Sequence, residues 1–217
     1  NYARAAVLGC ALALLSSGAV AATTLSGGNV SYTFDESALG LFGSASVVDG
    51  SLVFAPSGFN ATGTSLYAKE TINITVTAAS GYSLGGFSLS ENGGYTLPTS
   101  GGSATATGSF KAIDIEGTTG NQITETFNGV LDGGAWDAAA TIALPATGWG
   151  GTDGVVSSVT LTLSNQLFAL GGASISKTGV GISATALPVP EASTYAMLLA
   201  GLGLVGFMAY RRTHSTL

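Results

Sequence analysis

Apolar side chains recur at every second residue through most of this chain, and that spacing confines it to strands. Val30, Tyr32 and Phe34 alternate with Ser31 and Thr33, Ile72, Ile74 and Val76 with Asn73 and Thr75, and Val159, Leu161 and Leu163 with Thr160 and Thr162. This period gathers the apolar groups on one face of an extended segment, whereas an amphipathic helix would need a period of about 3.6. Glycine supplies the turns: 33 of the 217 residues are Gly, roughly twice the usual ~7%. Its tolerance of positive φ suits tight turns, and the accompanying β-branched residues suit a pleated surface.

Further strands are expected over 110–116, 122–127, 139–144, 167–170, 173–176 and 180–186. Asp49-Gly50, between the apolar runs of "SASVVDGSLVFA", carries the strongest short-range hairpin signal, and Asn92-Gly93 in "GFSLSENGGYTL" repeats it. About ten short strands with a turn every dozen residues or so, and no helical pattern in the interior, predict an all-β fold. The expected architecture is an antiparallel β-sandwich or jelly-roll-like domain over residues 22–188. A single-sheet solenoid is the rival, but no fixed internal repeat supports it.

Charge narrows the partners. The chain carries 12 acidic and 6 basic residues, a net charge of −6. Between Ala22 and Pro188 three lysines face eleven carboxylates, a net of −8. Nucleic acid is excluded as a partner, because following phosphates requires a basic surface.

The chemistry available to the interior is equally narrow. Cys10 is the only cysteine and His214 the only histidine, so nucleophile–histidine pairs and the usual zinc ligands are missing between them. Paired carboxylates remain the one catalytic option, as in a glycoside hydrolase. Asp114 and Glu116, two residues apart, share one face of the expected strand and read more simply as a solvated surface. The expectation is a protein that is not an enzyme and needs no cofactor.

Two tryptophans invite a binding role. "LDGGAWDAAA" and "GWGGTDGVV" set Trp136 and Trp149 beside Asp132, Asp137 and Asp153. Indoles in such loops can stack on a sugar ring, with a calcium ion held by the neighbouring carboxylates. This makes a lectin-like, glycan-binding module the main alternative to a structural role. The same stretches equally suit ordinary Gly-Asp turns with an indole capping the core.

Both ends read as targeting segments. Residues 1–21 begin without Met and place Arg4, an apolar run and Ala19-Val20-Ala21 in the order of a secretory signal peptide, with cleavage expected after Ala21. Near the other end, residues 192–210 are free of charge and Arg211-Arg212 follow. As a helix at ~1.5 Å per residue they span about 28 Å, close to the ~30 Å of a bilayer's hydrocarbon core. A single transmembrane helix is expected, its arginines on the cytoplasmic side. Gly201, Gly203 and Gly206 nominally spell a dinucleotide fingerprint, but no strand precedes them and no acidic residue follows them.

"VPEAS", an apolar helix and "RR", in that order, resemble the PEP-CTERM sorting signal of bacterial exported proteins. Val189, Pro190, Glu191 and Ser193 match its motif, Ala192 stands where a second proline is usual, and Arg211 and Arg212 form the basic cluster. The resemblance is confined to residues 189–217 and leaves the rest of the chain undetermined. It implies that exosortase, a membrane-embedded cysteine transpeptidase, recognises and processes the tail in a Gram-negative bacterium that makes exopolysaccharide. The chain would then be exported, pass transiently through the inner membrane and reach the cell surface or biofilm matrix in a structural or adhesive role.

Overall fold

The computed structural model describes residues 22–63, 65–117, 121–189 and 192–214, without the side chains at 65, 192–195, 209 and 212–214. The expected signal peptide, residues 1–21, lies outside the described residues.

Among the described residues, thirteen strands form two antiparallel sheets. They are β1 (Ala22–Ser26), β2 (Val30–Asp35), β3 (Ser44–Val48), β4 (Ser51–Ala55), β5 (Asn60–Thr62), β6 (Ser65–Ala78) and β7 (Tyr82–Thr96), then β8 (Ser103–Asp114), β9 (Gln122–Asn128), β10 (Val130–Asp132), β11 (Ala135–Ala143), β12 (Ser158–Leu170) and β13 (Ser174–Pro188). Sheet one runs β1-β2-β6-β12-β8-β9; sheet two runs β10-β11-β7-β13-β4-β3, with β5 also pairing with β13. Two one-turn 3-10 helices, Glu36–Ala38 and Gly40–Phe42, join β2 to β3.

The alternation read from the sequence decides which face is buried. Along β12, Val159, Leu161, Leu163, Leu167 and Ala169 all point inward, and along β6 so do Ile72, Ile74 and Val76. From sheet two, Phe54, Phe87, Leu89, Ile142 and Ile182 meet them in one continuous core. At one end of this core Phe42 packs between Phe54 and Phe59, with ring centroids 5.5 and 5.7 Å away. Full burial of side chains of this size contributes roughly 1.5–3 kcal/mol each.

Asp49-Gly50 forms the predicted hairpin between β3 and β4. Both residues have positive φ, 49° and 79°, as a two-residue turn matched to strand twist requires. Tyr32 tethers this turn by donating its hydroxyl hydrogen to Gly50 O at 2.9 Å. The hairpin expected at Asn92-Gly93 is corrected: β7 runs straight through both residues. A Cβ at Gly93 would lie 2.0 Å from Ser176 O and 2.4 Å from Trp136 Nε1. The position needs glycine to let an indole and a neighbouring strand approach, not to reverse the chain.

Several strands expected as separate pieces are continuous. The segments 159–163 and 167–170 belong to β12, and 173–176 and 180–186 are joined in β13, whose register with β7 shifts between Lys177 and Gly179. The interruptions read as breaks, Ser164-Asn165-Gln166 and Lys177-Thr178-Gly179, are polar stretches inside strands.

Replacing Gly50 by Ala, which places a Cβ in the left-handed region, is expected to lower stability by roughly 1 kcal/mol. A urea titration should show an earlier midpoint with an unchanged slope.

Candidate functional site

The tail leaves the sheets directly. β13 ends at Pro188, and the Val189 N–H donates to Gly81 O at 2.8 Å, holding the first motif residue against the turn between β6 and β7. Pro190 and Glu191 lie outside the described residues. Ser193 is in a helix, α1 (Ala192–His214), and Arg211 near its end is exposed. Every described side chain of α1 is exposed, including Met197 at 75% and Leu199 at 69%. Among the described residues, none of the apolar tail belongs to the sandwich core. Among the described residues no helix is long and apolar enough to cross a membrane.

Of the two placements that the sequence left open for Trp136 and Trp149, the structure has the core. Trp136 is 0% exposed and Trp149 6%, so neither indole offers a face on which a sugar could stack. Trp136 points inward because it occupies an even position of the β11 alternation, in phase with Ala138, Ala140 and Ile142. Its Nε1–H donates to Ser176 O at 2.9 Å, which satisfies the ring's one polar group. Of the neighbouring carboxylates, Asp132 and Asp137 stand on the paired strands β10 and β11 and border one groove, whereas Asp153 accepts the Val155 N–H at 3.0 Å in a separate turn. Among the described residues no three His, Cys, Asp or Glu side chains are grouped to hold a metal ion.

Asp114 and Glu116 are not a solvated face. β8 ends at Asp114, so Glu116 lies beyond the strand. Asp114 is 4% exposed. Its Oδ1 accepts N–H groups from Glu116 and Gly117 at 3.0 and 3.1 Å, and its Oδ2 accepts the Gly150 N–H at 3.0 Å. Glu116 accepts the N–H of Ser157 at 2.7 Å and also its hydroxyl hydrogen. Through Gly150 and Ser157 the two carboxylates tie the end of β8 to the loop that carries Trp149.

The sequence reading missed a polar cluster inside the core. Glu91 on β7, Lys177 on β13 and Asn165 on β12 are 2%, 4% and 2% exposed. Lys177 Nζ forms an ion pair with Glu91 Oε2, and Asn165 Nδ2–H donates to Glu91 Oε1 at 2.7 Å from the opposite sheet. The Lys177 ammonium also lies 5.2 Å from the Phe59 ring centroid and 5.5 Å from that of Trp136. Asn165 Oδ1 is buried without a hydrogen-bond partner. Burial outweighs the mutual attraction of the charges: it raises the Glu91 carboxyl above its ordinary value and lowers the Lys177 amine to about 8. Both shifts favour the uncharged forms. The available signal was phase: each residue continues an apolar alternation at an inward position.

A β domain whose last strand ends at Pro188, then a helix whose described side chains are exposed, then a basic end, follow the order of a sorting tail. Residues 188–212 match the model of the PEP-CTERM protein-sorting motif. The chain thus carries that motif and is an exported protein of the kind exosortase sorts. A search among curated proteins found no match to the chain.

Trp136→Phe should cost about 2–3 kcal/mol, through the lost Ser176 bond and the space left beside Lys177. Asp114→Asn, which removes one accepting oxygen from three backbone donors, should cost roughly 1–2 kcal/mol. Equilibrium unfolding in urea measures both.

Proposed function

We propose that this protein is a non-enzymatic structural or adhesive component of the cell surface or extracellular polysaccharide matrix, delivered there by exosortase. The observation that carries this reading is the position of the sorting motif. Its match begins at Pro188, the last residue of β13, so removing the tail would take no strand from either sheet.

In this reading the uncharged residues 192–210, with Arg211 and Arg212 behind them, hold the tail transiently at the inner membrane while it is processed, and the acidic β domain projects away from that surface. Pro190 disfavours helix immediately before this segment and leaves extended peptide for the transpeptidase to grip. The discarded segment would be absent from the mature product, as in other cleaved anchor signals.

The outer face of sheet one supports the matrix role. It is rich in hydroxyl and amide groups held in register, with Thr71 paired to Ser164 and Thr162 to Asn73, each at 2.8 Å. Such a hydroxylated surface matches the hydrogen-bonding chemistry of a polysaccharide. The two buried indoles play no part in it.

Cells lacking exosortase are expected to accumulate a membrane-bound form larger by about 3 kDa, the mass of residues 189–217. An immunoblot of membrane and matrix fractions measures this. Unchanged mobility in those cells would refute the sorting step, and processed protein that fails to cosediment with the organism's exopolysaccharide would refute the matrix role.

A further inference from the structure

We propose that Lys177 and Asn165 join through an intramolecular amide bond, formed with the help of Glu91, which staples sheet two to sheet one. The three groups stand in the arrangement this reaction needs. One Glu91 carboxylate holds the Lys177 amine on Oε2 and the Asn165 amide on Oε1. The prospective nucleophile and its target are therefore held in the core by the two oxygens of one carboxylate. Holding two reactants so converts a slow bimolecular aminolysis into a favoured unimolecular one.

The reaction balances without a co-reactant. Glu91 first takes a proton from the Lys177 ammonium, leaving a free amine and a carboxylic acid. The Nζ lone pair adds to Asn165 Cγ, forming an N–C bond, and the Cγ–Nδ2 bond then breaks. Nζ gives up one hydrogen, which leaves with Nδ2 as ammonia; a secondary amide remains. Glu91 passes that hydrogen between the two nitrogens, acting as general base and then general acid, and keeps the proton it first took from the ammonium, so it ends as the carboxylic acid that its burial favours. No oxidant, water or metal enters the balance.

The surroundings favour each step. Burial lowers the Lys177 amine to about 8 and raises Glu91, so the internal proton transfer that frees the nucleophile is eased from both sides. Phe59 and Trp136 cover the amine and keep water from competing with it. A half-turn of the Asn165 amide, which exchanges its oxygen and nitrogen, would put the unpartnered Oδ1 on the protonated Glu91 carboxyl. Charge developing on that oxygen would be held there. Ammonia has a short way out, because Asn165 borders an outer groove of about 350 Å³ and Glu91 one of about 660 Å³.

The test is peptide mapping of the full chain by mass spectrometry. Chymotrypsin cuts beside Phe168, between the two residues, so an unlinked chain yields Asn165 and Lys177 on separate peptides. The expected result is one branched species carrying both, lighter than the sum of the two peptides by about 17 Da, one ammonia. Trypsin should also fail to cut after Lys177. Asn165→Ala should abolish the branched species, and Glu91→Gln, checked for folding by circular dichroism, should reduce it about tenfold or more. Separate peptides at their sequence masses in the wild-type digest would overturn the proposal, whatever the variants do. So would a species about 18 Da lighter that joins Lys177 to Glu91 by loss of water.

Discussion

A residue in a strand has only two faces available, and in a two-sheet fold one of them is the core. That constraint leaves Asn165 no alternative to the interior, because it keeps phase with Leu163 and Leu167 on β12. Glu91 follows Leu89 inward on β7, and Lys177 follows Ile175 on β13. An isolated charge at such a depth would be prohibitively costly. The core accommodates these because they arrive together, with the amide and two aromatic rings completing their environment. Glu91 and Lys177 are thus mutually dependent, and the positions of β7, β12 and β13 depend on both.

Gly93 follows from the same constraint. Trp136 enters the core at its own inward position on β11, and its ring crosses the place where a Cβ at Gly93 would stand. The close approach lets the indole cover Lys177 and bond to Ser176 O on the next strand. A glycine that looks like turn chemistry in one dimension is packing chemistry in three.

The fold class was legible because the long strands keep the period of two. β2, β6 and β12 were recognised from Val30-Tyr32-Phe34, Ile72-Ile74-Val76 and Val159-Leu161-Leu163. Asp49-Gly50 revealed its hairpin because both residues meet the φ requirement of the turn. Strand lengths were underestimated wherever a polar residue occupied an inward position, so β12 was broken at Asn165 and β13 at Lys177. These are the places where the buried cluster lies: hydrophobicity marks polar groups as exposed, whereas backbone geometry places them inside. Trp136 and Trp149 stayed open between a stacking surface and a core cap, because their Gly and Asp neighbours fit both and only packing decides it. The tail was legible because its motif, span and basic end follow one another in the chain and need no tertiary contact to be recognised.

The route from β13 to the tail has a mechanical consequence. β13 is an interior strand of sheet two, bonded to β7 along one side and to β4 and β5 along the other. Any pull applied through the tail enters the domain at Pro188 and runs along the strand axis. The flanking ladders then bear it in shear, many main-chain bonds at a time, whereas a terminal edge strand could be unzipped bond by bond.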